Sequence, residues 1–204
     1  MATPFVNLHT HRPAGAALTL RSLGIHPWWL DDPGYDWELA LQTLEQQLKE
    51  GSLDAVGEAG LDKLHPETLP LQRTVFERQI RLAEQYGKPL VIHCVRAYDE
   101  VMQLWKRHQP RQAWILHGFN GNRETAGQLT EKGIYLSVGT AILFQNRKIT
   151  ESIPSIPLDR LFLETDEADD PIETVYAEAA RLLSLPLEVL KEQIFTNFVR
   201  LKQA

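Results

Sequence analysis

Six residues of the types that bind metal ions recur along the chain. Each lies in or just after a short apolar run, near the point where a β-strand would end. Imidazole and carboxylate groups hold Zn and similar divalent ions in hydrolytic sites. The pattern therefore predicts a metal site for hydrolysis. The six candidate ligands are His9, His11, Glu58, His93, His117 and Asp166.

His9 and His11 are the most specific part of this pattern. Side chains at positions i and i+2 of a strand point to one face, so the two imidazoles can chelate one ion. Four histidines and two carboxylates exceed what one tetrahedral ion uses, which predicts two ions that share Glu58. The mixed ligands suit Zn, Mn, Fe or Ni better than Mg alone. They do not identify the metal, and Zn, Mn and Mg all stay open.

Each candidate also has an ordinary structural interpretation. A single histidine at a strand end is more often hydrogen-bonded or exposed than bound to metal. The placement of all six at one edge of a sheet is what favours the metal site. Glu164 and Asn7 lie one pleat below Asp166 and His9, so they either fix the ligands through hydrogen bonds or form a buried polar pair.

The elements that position these residues alternate between short apolar runs and stretches of helical period. Such alternation is typical of parallel strands joined by crossover helices, and barrels of this kind carry their active sites at the carboxyl ends of the strands. We therefore predict an α/β fold, a TIM-like (β/α) barrel. The predicted strands are 5–9, 18–24, 55–58, 90–93, 113–117, 135–138 and 161–164, and the predicted helices are 36–50, 69–86, 97–108, 123–132, 172–183 and 187–201.

The predicted barrel is shortened by about one strand-helix unit. Only 12 residues separate His11 from Gly24, whereas a strand, a crossover helix and the next strand need roughly 30. Seven strands are counted. Either the barrel is incomplete, with its opening next to the first strand, or an eighth strand lies near residues 142–144.

Charge and composition exclude several classes of protein. The net charge of −6 would repel a polyanion, so non-specific coating of nucleic acid is not expected. A single cysteine, Cys94, excludes an internal disulfide and is interpreted as a buried small group rather than a nucleophile. Without a leader pattern or a long apolar run, we expect one cytoplasmic domain over residues 1–204 that does not bind membranes. The oligomeric state is not predicted.

Seven short motifs follow one another along nearly the whole chain. In this order they resemble the TatD family of metal-dependent hydrolases, which belong to the amidohydrolase-like barrels. The motifs are His9-Thr10-His11, Gly24-Ile25-His26-Pro27, Val56-Gly57-Glu58-Ala59-Gly60-Leu61-Asp62, Val91-Ile92-His93-Cys94, His117-Gly118-Phe119-Asn120-Gly121, Leu163-Glu164-Thr165-Asp166 and Thr196-Asn197-Phe198-Val199-Arg200-Leu201.

The resemblance implies a role for each matching ligand position. It also implies hydrolysis of phosphodiesters, with family members acting as deoxyribonucleases on single strands or 3′ ends. The implied arrangement has His9, His11 and Asp166 on one ion, His93 and His117 on another, and Glu58 between them.

Four residues are predicted to act on the substrate. Asp166 and Glu58 are the candidate catalytic residues, with Asp166 taking and returning the proton of the attacking water. His26, in Gly-Ile-His-Pro at a strand end, and Arg96 are the candidate substrate contacts. The expected substrate is a DNA end or a small phosphoester.

The chain departs from the family pattern in three places. It is shorter after His11, and Val95-Arg96 stands where the family commonly has an arginine followed by an acid. Beyond Asp166 the chain carries Glu167, Asp169 and Asp170. These acids would repel a polyanion, so we expect weak, salt-sensitive binding of long DNA.

Two other functions stay open at this point. The same site could serve a small-molecule amidohydrolase or phosphoesterase, because the surrounding loops decide which substrate is admitted. It could also bind metal with little catalysis, if the shortened loops no longer hold a substrate.

Overall fold

The computed structural model describes residues 3–12, 15–144 and 147–203. By their internal contacts the residues fall into two units. Met1–Thr19 and Leu116–Gln203 form one, here called the split unit, and Leu20–Ile115 form the other, the central unit. The expectation of one domain over residues 1–204 stays a prediction. Among the described residues, no helix is both long and apolar enough to cross a lipid bilayer.

The central unit contains three parallel strands in the order β1, β2, β3. They are β1 (Ser22–Leu23), β2 (Ala55–Asp62) and β3 (Leu90–Val95). The connecting helices are α1 (Trp37–Lys49), α2 (Leu69–Gln85) and α3 (Tyr98–His108), and a short 3-10 helix spans Pro27–Asp31. Parallel strands with intervening helices are what the apolar runs predict.

Helix α1 shows how local sequence sets these elements. The Asp36 carboxylate accepts a hydrogen bond from the Leu39 N–H, which satisfies one of the unpaired N–H groups at the start of the helix. Leu41, Leu44 and Leu48 are buried at helical spacing. Gly51, at φ +70°, follows the helix in the left-handed conformation that glycine tolerates best.

Strand β2 extends four residues beyond the predicted end at Glu58, because small residues let its backbone approach β3. Gly60 pairs with His93, and a Cβ atom at Gly60 would lie 1.9 Å from the His93 carbonyl oxygen. At Gly57, which has φ +134°, a Cβ atom would lie 2.4 Å from the Val91 carbonyl oxygen. No side chain fits at either position.

The split unit pairs β5 (Tyr135–Val138) in parallel with β6 (Leu161–Leu163). Its helices are α4 (Arg123–Thr130), α5 (Arg147–Ser152), α6 (Ile172–Leu183) and α7 (Leu187–Gln203). Strand β4 (Trp114–Leu116) lies where the two units divide. Short 3-10 helices span Thr140–Phe144, Ile153–Ser155 and Leu158–Arg160. Because residues 142–144 lie in a 3-10 helix, the alternative of an eighth strand there is wrong. In this helix Ile142 is buried, but Phe144 is 73% exposed.

The segment that carries the two-histidine motif is paired on both sides within the split unit. Val6 forms a parallel bridge with Leu18, and the Asn7 N–H donates to the Leu18 carbonyl oxygen at 2.8 Å. On the other side, the Leu8 N–H donates to the Leu163 carbonyl oxygen at 3.0 Å. Isolated bridges rather than a strand flank this segment, and the predicted opening of the barrel beside it stays a prediction. Residues 12 and 15–17, which the structure describes in that connection, form no strand.

Candidate functional site

The split unit brings His9, His11 and Asp166 together. The Asp166 Oδ1 atom lies 3.7 Å from His9 Nε2 and 3.5 Å from His11 Nε2, and the three residues offer ligand atoms within 4.8 Å of one another. His9 is buried, whereas the His11 side chain is 51% exposed. One imidazole is thus anchored in the core while the other faces solvent.

Backbone pairing fixes the distance between these ligands. The Asp166 N–H donates to the His9 carbonyl oxygen at 3.1 Å, and the His11 N–H donates to the Asp166 carbonyl oxygen at 3.0 Å. Asp166 adopts φ +52°, a left-handed conformation that is uncommon outside glycine and recurs at functional sites. Hydrogen bonds on both sides of Asp166 hold it in this conformation.

His117 and Glu164 form a second buried contact in the split unit. The His117 ring centroid lies 4.7 Å from that of His9, and its Nδ1 atom lies 3.3 Å from Glu164 Oε1. The same oxygen accepts the Gly118 N–H at 2.6 Å, and Glu164 is fully buried. A carboxylate on one ring nitrogen is the usual partner of a metal-binding histidine. Glu164 was interpreted either as orienting a ligand or as part of a buried polar pair. This contact favours the first interpretation.

Asn7 acts on the backbone rather than on a ligand side chain. Its Nδ2 atom donates to Thr165 Oγ1 at 2.8 Å, and its Oδ1 atom accepts the Thr165 N–H at 3.0 Å. Both groups are buried. The pair ties the first segment to the residue that precedes Asp166, which keeps His9 and Asp166 in register.

The central unit gathers Glu58, His26 and His93, whose ligand atoms also lie within 4.8 Å of one another. The Glu58 Oε1 atom is 2.7 Å from His93 Nδ1 and 3.1 Å from His26 Nε2. His26 Nδ1 accepts the Trp28 N–H at 3.2 Å, so in the neutral ring the proton is on Nε2, which donates to Glu58. This proton assignment makes His26 a hydrogen-bond partner of Glu58, whereas Glu58 and His93 keep the chemistry of ligands.

Asp62 contacts a candidate ligand, although it is not among the candidate site residues selected from the sequence. Its buried carboxylate lies 3.5 Å from His93 Nε2 through Oδ2, which also accepts the Trp28 indole N–H at 2.7 Å. Burial would raise the pKa of Asp62, but hydrogen bonds from Trp28 and the Leu64 N–H, with the contact to His93, outweigh it and lower that pKa. Asp62 is four residues after Glu58, an even separation that signals the same face once β2 is extended.

Two buried glutamines of α2 support this group. Gln79 accepts the Ile25 N–H at 2.7 Å and donates to the Ile25 carbonyl oxygen at 3.2 Å, next to His26. Gln72 accepts the Asp62 N–H at 2.9 Å and donates to its carbonyl oxygen at 3.3 Å. The glutamines are seven residues apart on the buried face of the helix, which is two turns. The sequence signal for this support was the presence of polar glutamines on the otherwise apolar face of the helix.

Cations near these residues are mostly paired with carboxylates. Arg12 forms an exposed ion pair with Asp169 in the split unit. In the central unit, Lys63 Nζ lies 2.6 Å from Glu100 Oε1. Arg96 is exposed just after β3 with φ +54°, and within the described chain its side chain has no ion pair or hydrogen bond. Its role as a substrate contact stays a prediction.

Cys94 follows His93 on β3. Burial raises the pKa of its thiol to about 12, so the thiol stays protonated at neutral pH. A protonated thiol is a poor nucleophile. Cys94 is partly buried, which agrees with its interpretation as a small packing group rather than a nucleophile.

The donor chemistry of both units fits divalent metal ions. Each unit places an imidazole nitrogen within 4 Å of a carboxylate oxygen at the predicted ligands. Neutral imidazole with carboxylate is the ligand set of many hydrolytic metal sites. The chain therefore carries a candidate metal site.

Comparison with known proteins finds relatives that are named as metal-dependent hydrolases or as an exonuclease. YjjV of Escherichia coli (strain K12), an uncharacterized metal-dependent hydrolase, is 29% identical over 84% of this chain and 69% of its own length. An uncharacterized metal-dependent hydrolase of Haemophilus influenzae is 33% identical over 74% of this chain and 59% of its own. The 3′-5′ ssDNA/RNA exonuclease TatD of Edwardsiella piscicida is 33% identical over 70% and 55%, respectively. The chain thus spans between about half and about two thirds of these relatives.

Solved structures confirm the predicted fold class. The crystal structure of the Escherichia coli YjjV TatD homologue aligns with a TM-score of 0.80 at 27% identity, covering 91% of this chain and 77% of that one. A TatD family hydrolase from Entamoeba histolytica aligns with a TM-score of 0.73 at 18% identity over 91% of this chain and 75% of that chain, which shows the fold alone. The predicted α/β, TIM-like architecture is therefore confirmed. The family model for TatD related DNase matches residues 15–203, and the chain belongs to this family.

Proposed function

We propose that this chain is a two-metal hydrolase of phosphodiesters that acts on short nucleic-acid ends or on small phosphoesters. One observation carries the proposal: each unit gathers histidine and carboxylate side chains with their ligand atoms in close contact. The two groups are His9, His11 and Asp166 in the split unit, and Glu58, His93 and His26 in the central unit.

The proposed ligand roles follow the sequence prediction. His9, His11 and Asp166 hold one divalent ion, and His93 with His117 hold the second. Glu58 is proposed to serve both ions. Two buried carboxylates would orient these histidines, Asp62 beside His93 and Glu164 beside His117.

Bound divalent ions would lower the pKa of a water molecule and polarise the scissile oxygen. The protein's own contribution is to move one proton and to hold the ligands still. Asp166, whose side chain is 41% exposed, accepts the proton of the attacking water as its oxygen bonds to phosphorus. When the phosphorus–oxygen ester bond breaks, the proton is returned to the leaving oxygen. His26 donates to Glu58 and so keeps that carboxylate oriented.

The charges favour a short substrate over a long strand. A DNA strand offers a charge at every nucleotide, and its binding requires several unpaired cations. Arg12 and Lys63 are already paired with carboxylates. The same observation favours the alternative of a small-molecule phosphoesterase over a processive nuclease. The amidohydrolase alternative is tested by the same substrate panel.

The proposal is tested by metal content and turnover measured together. Protein purified after growth with Mn or Zn is analysed for bound metal, and its activity is measured on a dinucleotide, a long single strand, and a set of amides and lactones. We expect up to two ions per chain and the highest kcat/KM on the dinucleotide or a small phosphoester. Absence of metal, or turnover confined to amides and lactones, would contradict the proposal.

Matched variants separate the ligand groups. His93→Ala or His117→Ala should empty one of the two metal sites before the other and abolish most turnover. Glu58→Gln should keep the fold and lower kcat at least ~100-fold, because a neutral amide bridges two cations poorly. His108→Ala is the control, since His108 contacts only Glu84 among its described ionic partners, away from either group. Full activity of Glu58→Gln would show that Glu58 does not bridge.

A further inference from the structure

Trp28 is an exposed aromatic residue whose orientation is fixed. Its side chain is 51% exposed, although large aromatic side chains are usually more buried. Its indole N–H donates to the buried Asp62 carboxylate at 2.7 Å, and its backbone N–H donates to His26 Nδ1 at 3.2 Å. Both N–H groups of Trp28 are therefore bound to residues that contact the candidate ligands Glu58 and His93.

Packing against neighbouring histidine rings adds to this restraint. The Trp28 ring lies edge to face against His26 at 4.8 Å and against His93 at 5.8 Å, measured between ring centroids. The His65 ring centroid lies 6.0 Å from that of Trp28, and His65 is itself paired with Asp31. The remaining exposed surface of the indole is thus held in one orientation next to a candidate metal ligand. A rigid ring loses little conformational entropy when a ligand stacks on it.

The neighbouring Trp29 shows that exposure alone does not create this arrangement. Trp29 is 47% exposed, and its ring packs at 5.8 Å from Tyr35. Among the described residues, no carboxylate accepts a hydrogen bond from its indole N–H. The two tryptophans are therefore similar in exposure but differ in their connection to Asp62 and His93.

We propose that the exposed face of Trp28 stacks on the base next to the scissile phosphoester, so that Trp28 determines the preference for nucleotide substrates over aliphatic phosphoesters. This inference rests on the proposed function and names its substrate class. Base stacking tolerates any sequence because every base has a flat aromatic face. Base stacking also needs no cation on the protein. This suits the central unit, because its Lys63 is already paired with Glu100.

The experiment measures base preference by calorimetry. Manganese-loaded protein is titrated with thymidine 5′-monophosphate and with 2-deoxyribose 5-phosphate, which lacks the base. Wild-type protein should prefer the nucleotide by about 10-fold or more, within the range of one stacked base. The preference ratio should fall to about one in Trp28→Ala and be partly retained in Trp28→Phe. Using a ratio within each variant cancels any loss of affinity that passes through Asp62.

Trp29→Ala is the matched control and should keep the wild-type ratio. Kinetics on a dinucleotide and on its abasic analogue give a second readout, in which Trp28→Ala should raise KM more than it lowers kcat for the dinucleotide. An equal loss on both substrates would assign Trp28 to structure alone and overturn the proposal. So would a wild-type protein that binds neither ligand or binds both equally. Retained base preference without turnover of any phosphodiester would instead refute the proposed function while supporting the role of Trp28.

Discussion

Tyr176 on α6 holds the segment that carries His9 and His11, and Tyr176→Phe tests how strongly. Its hydroxyl donates to the Val6 carbonyl oxygen at 3.0 Å and accepts the Val6 N–H at 3.2 Å. Tyr176 and Val6 are both fully buried, so water does not replace the lost hydroxyl. Burial also raises the pKa of the Tyr176 hydroxyl, which keeps it protonated as a donor. Phenylalanine keeps the edge-to-face packing on Phe5.

The expected effect follows from two buried backbone groups left without a partner. Each such group costs about 1–3 kcal/mol, which gives roughly 2–6 kcal/mol for the pair. In a chain of this size each kcal/mol lowers Tm by about 2–4 °C, so Tyr176→Phe should lower Tm by roughly 4–24 °C. Because the same segment carries the chelating histidines, metal affinity should fall as well.

Differential scanning calorimetry with a matched control decides the point. The Tyr86 hydroxyl donates to Glu45 at 3.0 Å on α1, where both ends of the contact can reach water. Tyr86→Phe should therefore cost less than about 1 kcal/mol. Equal shifts of Tm in the two variants would show that the Val6 contacts contribute nothing beyond an ordinary surface hydrogen bond, and the reasoning would be refuted.

Three further predictions concern the backbone, the metal and the charges. Gly60→Ala should lower Tm strongly or prevent folding because its Cβ would collide with β3 at 1.9 Å, whereas Gly127→Ala, with open space around its Cβ, should leave Tm unchanged or raised in thermal unfolding. Glu164→Gln should weaken Mn or Zn binding roughly 10- to 100-fold in calorimetry without unfolding the chain, and wild-type affinity would contradict its role. Asp169→Asn releases Arg12 and should steepen the salt dependence of single-stranded oligonucleotide binding by roughly 0.7 in slope; an unchanged slope would place Arg12 outside the substrate path.

Most elements were predictable from sequence because their apolar periods are clear. Strand β5 and helix α6 have the predicted bounds, and Asp36 marks the start of α1 by its capping side chain. The missed helix α5 is only six residues long and follows a 3-10 helix, so its pattern is too short to show a period. The predicted bounds were wrong where tertiary contacts decide where an element ends. Strand β2, for example, continues through Gly60 to Asp62.

The grouping of the candidate ligands was predictable, but the residues that contact them were less so. His9, His11 and Asp166 meet as the strand parity requires. The parity argument placed Glu164 beneath Asp166, yet its hydrogen bonds go to Gly118 and His117, because the turn after β4 brings these groups over it. The role of His26 depends on which ring nitrogen carries the proton. Only the hydrogen bond from the Trp28 N–H indicates this position. The Glu164 contacts join residues 47 and 46 positions apart in sequence, and no local pattern encodes them.

The pairing of the first segment with β6 also determines when this site can form during synthesis. Thr10 and Asp166 are bonded across 156 residues of chain, whereas the central unit is continuous in sequence. At about 5–20 residues per second, His9 and His11 leave the ribosome several seconds or more before their carboxylate partner exists. Contacts of such high sequence separation also slow folding. The nascent chain therefore carries its two-histidine motif without Asp166 until that residue has been made, and the cluster of His9, His11 and Asp166 can form only after that point.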